Sequence, residues 1–229
     1  MIKQLLTAAL LMAPTALTAQ IAEVSSPKPL LRGVESEMYY PVLSTDGRSL
    51  TFSDLTQTNI RVYDFNDNVT SRVSETPKKI PARHGVSVQV DGSKLIIDIK
   101  GHKQAYTPVD CYAGYLWPSV SPDGTMVMFV AAGKGVYITD LKGNIIANPG
   151  KYEAPVWFGN NHIVVMNATD DGHQYQSSRL ILMTRDGSQS QALTKPESMS
   201  MFPTANATAD RIIYNTIDGR LYQLDVKLK

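Results

Sequence analysis

The sequence predicts an all-β protein: a five-bladed β-propeller whose N-terminal strand closes the last blade. Three observations carry that prediction. First, an anchor recurs at Pro41, Pro118, Pro155 and Pro203, with Val86 in the same place in a fifth copy. The spacing averages about 40 residues, a period of repeat architectures. Second, five residues beyond each anchor stand Asp46, Asp91, Asp123, Asn160 and Thr208, and the three aspartates are each followed by glycine. Asp-Gly supplies the positive φ angles of a tight hairpin. Third, nine and eleven residues beyond the anchors stand Leu50/Phe52, Leu95/Ile97, Val127/Phe129, Val164/Met166 and Ile212/Tyr214. Ten apolar positions at spacing two mark strands with one buried face.

The elements follow in chain order. A first strand runs from each anchor to its turn, over 42–45, 86–90, 119–121, 156–158 and 204–207. The second strand carries the apolar pair. A third, rich in β-branched and aromatic residues, is expected at 60–65, 136–141, 180–183 and 221–226. A weaker fourth follows at 70–73 and 191–193. The second copy is the weakest, since its third strand near 104–109 contains Pro108. Four strands per unit is the arrangement of a propeller blade. The fifth copy ends at Lys229 after its third strand, and residues 20–34 belong to no copy. That N-terminal segment is expected to supply the missing outer strand and cover an open sheet edge. An open β-sandwich offers a similar strand count but does not require a repeat at this period.

Residues 1–19 read as a secretory signal peptide. Lys3 precedes an apolar run over 5–13, Pro14 breaks it, and Ala19 offers a small residue for cleavage before Gln20. The expected product is a single propeller domain over 20–229, periplasmic or secreted, with no membrane span. The chain carries 22 Lys+Arg against 21 Asp+Glu. That balance disfavours nucleic acid as a partner. One cysteine, Cys111, excludes an internal disulfide.

Residues 117–124, Trp-Pro-Ser-Val-Ser-Pro-Asp-Gly, followed by the strand ending Asp140-Leu-Lys-Gly143, resemble the TolB-type propeller repeat. The copy at 41–47 keeps Ser44, Asp46 and Gly47 of that pattern, and the resemblance extends over residues 38–226. It implies an exported bacterial propeller used as a binding scaffold. The TolB family has six blades, whereas five copies are present here.

No Gly-x-Ser-x-Gly, His-Glu-x-x-His, Walker or EF-hand pattern is present. His84, His102, His162 and His173 are not paired at metal-ligand spacing, and no cofactor is implied. The binding signal is positional. In a propeller the residues entering each inner strand line one end of the channel. Here they comprise Tyr39 and Tyr40, Arg83 and His84, Tyr115 and Trp117, Tyr152 and Glu153, and Phe202. Aromatics and arginine are the types enriched in binding hot spots. The first reading is therefore a monomeric, non-catalytic scaffold that holds an envelope protein or peptide on this rim. The alternative is a carbohydrate-active or small-molecule hydrolase using Glu37, Asp110 and Glu153, or a sugar-binding module stacking its ligand on Trp117 and Trp157.

Overall fold

The computed structural model describes residues 20–31, 37–72 and 82–229; the expected signal peptide lies outside the described residues. Five small antiparallel sheets form a ring, a five-bladed β-propeller. The short strands β1 (Ala22–Val24) and β2 (Lys28–Pro29) come first in the chain but belong to the last blade. The first blade is β3 (Tyr39–Leu43), β4 (Ser49–Ser53), β5 (Arg61–Asp64) and β6 (Val69–Arg72). The second has β7 (Val86–Asp91), β8 (Lys94–Ile99) and β9 (His102–Tyr106). The third is β10 (Tyr115–Val120), β11 (Met126–Ala131), β12 (Gly135–Asp140) and β13 (Ile145–Gly150). The fourth is β14 (Glu153–Phe158), β15 (His162–Asp170), β16 (Tyr175–Thr184) and β17 (Ser190–Ala192). The fifth is β18 (Ser200–Ala205), β19 (Arg211–Thr216) and β20 (Leu221–Leu228), completed from the N-terminus.

The closure is the one the sequence predicts. Ala22 pairs with Leu228 and Val24 with Val226, while Lys28 and Pro29 pair further back on β20. One side chain of the fourth blade ties this strand down. Gln191 accepts from the backbone N–H of Ile21 and Ala22 and donates to the Ala22 carbonyl.

All ten apolar repeat positions are buried, none more than 2% exposed. They fill the seams between blades. Leu50 and Phe52 pack against Ile213 and Leu221 of the fifth blade. Leu95 and Ile97 meet Val127 and Phe129. Val164 and Met166 meet Ile212 and Tyr214. The third and fourth blades share Met128, Ile138, Ile163 and Val165. Each large apolar side chain contributes about 1.5–3 kcal/mol on burial. Among the described residues no comparable cluster joins the first blade to the second.

Two of the three Asp-Gly turns make the side-chain contacts expected of aspartate. Asp46 accepts from the Ser44 hydroxyl and the Arg48 amide, and Asp123 from Ser121 and the Thr125 amide. These donors favour the charged carboxylate and hold both aspartates below their ordinary pKa.

Two features depart from the sequence reading. The inner strands begin before their prolines. Tyr40, Trp117, Ala154 and Phe202 each precede a proline and sit at φ between 42° and 53°. The ladder shifts register around each of them. Proline has no N–H for the ladder and keeps its predecessor out of the right-handed helical region. A bulge at each site absorbs the mismatch; it leaves Trp117 exposed and Tyr40 and Phe202 partly exposed, whereas Ala154 stays buried. The expected entry loops are therefore bulged strand residues. The second departure concerns the second blade. A Cβ at Gly124, beyond the end of β10, would lie 3.0 Å from the Arg83 carbonyl and the His84 Cβ. A Cβ at Gly114, before β10, would lie 3.6 Å from the Gly92 carbonyl beyond the end of β7. β7 therefore runs opposite to β10, whereas β3 runs with β18: Tyr40 lies beside Phe202, and the Leu43 amide donates to Thr204.

Candidate functional site

The bulges of β10 and β14 open a pocket between the third and fourth blades, about 460 Å³ in volume. Its floor is apolar, from Val130, Ala132, Met166 and Ala168. Leu116 and Trp117 form one wall, 44% and 39% exposed, and Tyr152 stands in the other. Lys151, Glu153 and Asn167 supply the polar groups. A glycine makes this geometry possible. Gly135 has φ of 107°, and a Cβ there would lie 2.3 Å from the Gly150 carbonyl oxygen. Only glycine lets the turn into β12 lie against the backbone that leads to Lys151, Tyr152 and Glu153.

Beyond Glu153 the rim continues along the fourth blade. The β15–β16 hairpin runs past the end of its neighbours, with Asp170 opposite Tyr175. The Tyr175 hydroxyl donates to Glu153 Oε2 at 3.2 Å. Its pKa is pushed up to about 12, first by burial and then by the Glu153 charge and hydrogen bond, with smaller contributions from Asp170 and Tyr40. The phenol thus stays protonated and remains a donor. The Tyr40 ring lies 5.0 Å from Phe202, tilted by 50°. Trp117, Tyr152, Glu153, Tyr40 and Phe202 therefore stand at the entry ends of four inner strands, as the sequence predicts, with Tyr175 joining them.

Four of the expected rim residues do not reach it. Tyr39 is buried, and its hydroxyl donates to the Ile217 carbonyl. Tyr115 is buried against Phe129 and donates to the Val109 carbonyl at 2.6 Å. Tyr39 directly precedes the bulged Tyr40 and lies on the core-facing side, while Tyr115 lies ahead of the bulge, in regular pairing with Ala131, with its exposed neighbour Leu116 facing out. Arg83 and His84 sit at the opposite end of β10, because β7 is reversed. There Arg83 closes a tight turn with Val86, and burial lowers its guanidinium pKa.

Trp157, a candidate sugar platform, is buried with its indole N–H facing the Ser119 carbonyl at 3.5 Å. Glu37 is exposed beside the Gly219 turn, and Asp110 is exposed ahead of Cys111. Among the described residues no group of three or more His, Cys, Asp or Glu gathers as a metal site. Lys151, Asn167 and Tyr175 were not among the residues expected from the sequence. A signal for the last two was present: the interval from Pro155 to Pro203 is the longest between anchors, and it contains the extended hairpin.

A second, larger concavity of about 550 Å³ lies on the outer edge of the fifth blade, between β1 and β20. It is more open, and its Asp225 is already engaged by Lys28 and Gln223. Fold and site together define a five-bladed propeller with an aromatic, pocketed rim. Compared by sequence, neither a family model nor a curated protein matches the chain.

Proposed function

We propose that this chain is an exported, TolB-like propeller scaffold that binds an envelope protein or peptide at the rim and carries out no reaction of its own. The observation that carries this reading is the pocket between the third and fourth blades. It pairs an apolar floor with exposed Leu116 and Trp117 and a few convergent polar groups, which is the composition of a recognition site. Four successive blades present bulged residues at the same end, so the surface extends beyond one pocket to Tyr40 and Phe202. Export rests on residues 1–19, and the TolB likeness on the repeat at 117–143.

The test is capture of a partner from native envelope extract by the chain and by a Trp117→Ala/Tyr40→Ala double variant. Loss of capture with an unchanged melting transition supports the rim. Undiminished capture by the folded double variant removes it. Detection of processed protein in the periplasmic or secreted fraction tests export separately.

A further inference from the structure

Glu153 is the polar centre of the rim, and its surroundings define what it can receive. Its Oε2 accepts from Tyr175, and its Oε1 has no hydrogen-bond donor among the described residues. No cation stands within ion-pair distance either: the three ion pairs among the described residues are Lys28–Asp225, Arg48–Asp46 and Arg220–Asp218, all elsewhere. The side chain is half-buried at the mouth of the pocket. A half-buried carboxylate with one neutral phenol as its donor has an oxygen free to accept from a ligand. Three further features around it favour positive charge. Trp117 and Tyr152 wall the pocket, and aromatic faces attract cations. Asp170 adds negative potential at Tyr175 on the far side. The apolar floor suits the methylenes of a long basic side chain. Lys151 opposes this field, but it is exposed and solvated.

Building on the rim reading above, we propose that this pocket receives an arginine side chain of the partner, with Glu153 as its counter-ion and Trp117 and Tyr152 as its walls. A planar guanidinium can stack on a ring while donating to Oε1. Lysine fits the same charge but not the stacking and binds more weakly. The partner segment is therefore basic at this position, and Lys151 weakens its binding by like-charge repulsion.

The experiment titrates the full chain with capped tripeptides whose central residue is arginine, lysine, glutamine or glutamate, and with methylguanidinium, by calorimetry. The arginine peptide is expected to bind at least about tenfold more tightly than the glutamine peptide. Glu153→Gln should erase that preference. Lys151→Ala, at an exposed position that leaves folding intact, should tighten the arginine peptide by about three- to tenfold. Preference for the glutamate peptide, with weakening by Lys151→Ala, overturns the proposal, as does equal affinity for arginine and glutamine peptides. Binding of methylguanidinium as tight as that of the arginine peptide overturns the assignment to a partner side chain. If envelope capture needs Trp117 and Tyr40 but ignores both Glu153→Gln and Lys151→Ala, the rim reading stands and the arginine assignment falls. If capture ignores all four, both fall.

Discussion

Gln191→Ala should loosen ring closure more than any other single polar substitution on the fourth blade's outer strand. The side chain makes three hydrogen bonds to the N-terminal strand: from Ile21 N–H at 2.9 Å, from Ala22 N–H at 3.0 Å, and to the Ala22 carbonyl at 3.1 Å. Ile21 and Ala22 are buried, so water cannot fully replace those partners. Each bond contributes about 1 kcal/mol net, for a loss of about 3 kcal/mol. In a chain of this size that lowers the melting temperature by roughly 6–12 °C. Differential scanning calorimetry measures the shift, and hydrogen exchange locates it. The amides of residues 21–24 should lose protection first, while those of β11 keep theirs. Gln191→Glu retains an acceptor for the two N–H groups but loses the donor, and should fall between wild type and alanine. A melting shift under about 1 °C for Gln191→Ala, with unchanged exchange at 21–24, would refute the role of this side chain in closure.

Three further outcomes follow from local geometry. Gly135→Ala should cost about 2–4 kcal/mol in chemical denaturation, because its Cβ collides with the Gly150 backbone at a φ that disfavours side chains. The Asp turns set the acid limb of stability: Asp186, held by Thr184 and Ser188, titrates at about 2, and Asp46, Asp123 and Asp140 also titrate below the ordinary aspartate value. Folded values below unfolded ones stabilise above the unfolded pKa and lose that contribution as pH falls through the folded value. Urea midpoints should therefore drop between about pH 4 and pH 2, less steeply in Asp186→Asn. At the alkaline end the sign reverses. The Tyr175 contribution is full below its unfolded pKa and is lost as pH rises through about 12. Tyr39, Tyr115 and Tyr214 are also raised by burial, so spectroscopic titration should show several late tyrosines, of which one is lost in Tyr175→Phe and titrates earlier in Glu153→Gln.

Much of the fold was legible because it rests on local pattern. The ten apolar positions fill the blade seams, and the aspartates at 46 and 123 make the turn contacts their residue type suggests. The orphan N-terminal segment pairs where the unfinished fifth blade needs a strand. The direction of β7 was not legible, since period and alternation read the same forwards and backwards. His84 and Arg83 were misplaced for that reason. Tyr39 and Tyr115 were misplaced because a bulge interrupts the alternation, so the core-facing side ahead of each proline cannot be phased from spacing alone. Asn167 in the pocket and the Tyr175 contact to Glu153 come from the hairpin at 162–184, whose length was visible but whose reach to Glu153 depends on strand pairing within it.

The most direct measurement is amide chemical-shift mapping of the folded chain with the proposed partner, once captured, or with the arginine peptide. The account predicts perturbations at residues 115–117, 151–153, 166–168 and 175, extending to 40 and 202 with the full partner. The turns at 46–47 and 123–124, and residues 83–84 beside the latter, should remain silent. Perturbations concentrated at that opposite end, with 115–117 and 151–153 unmoved, would contradict it.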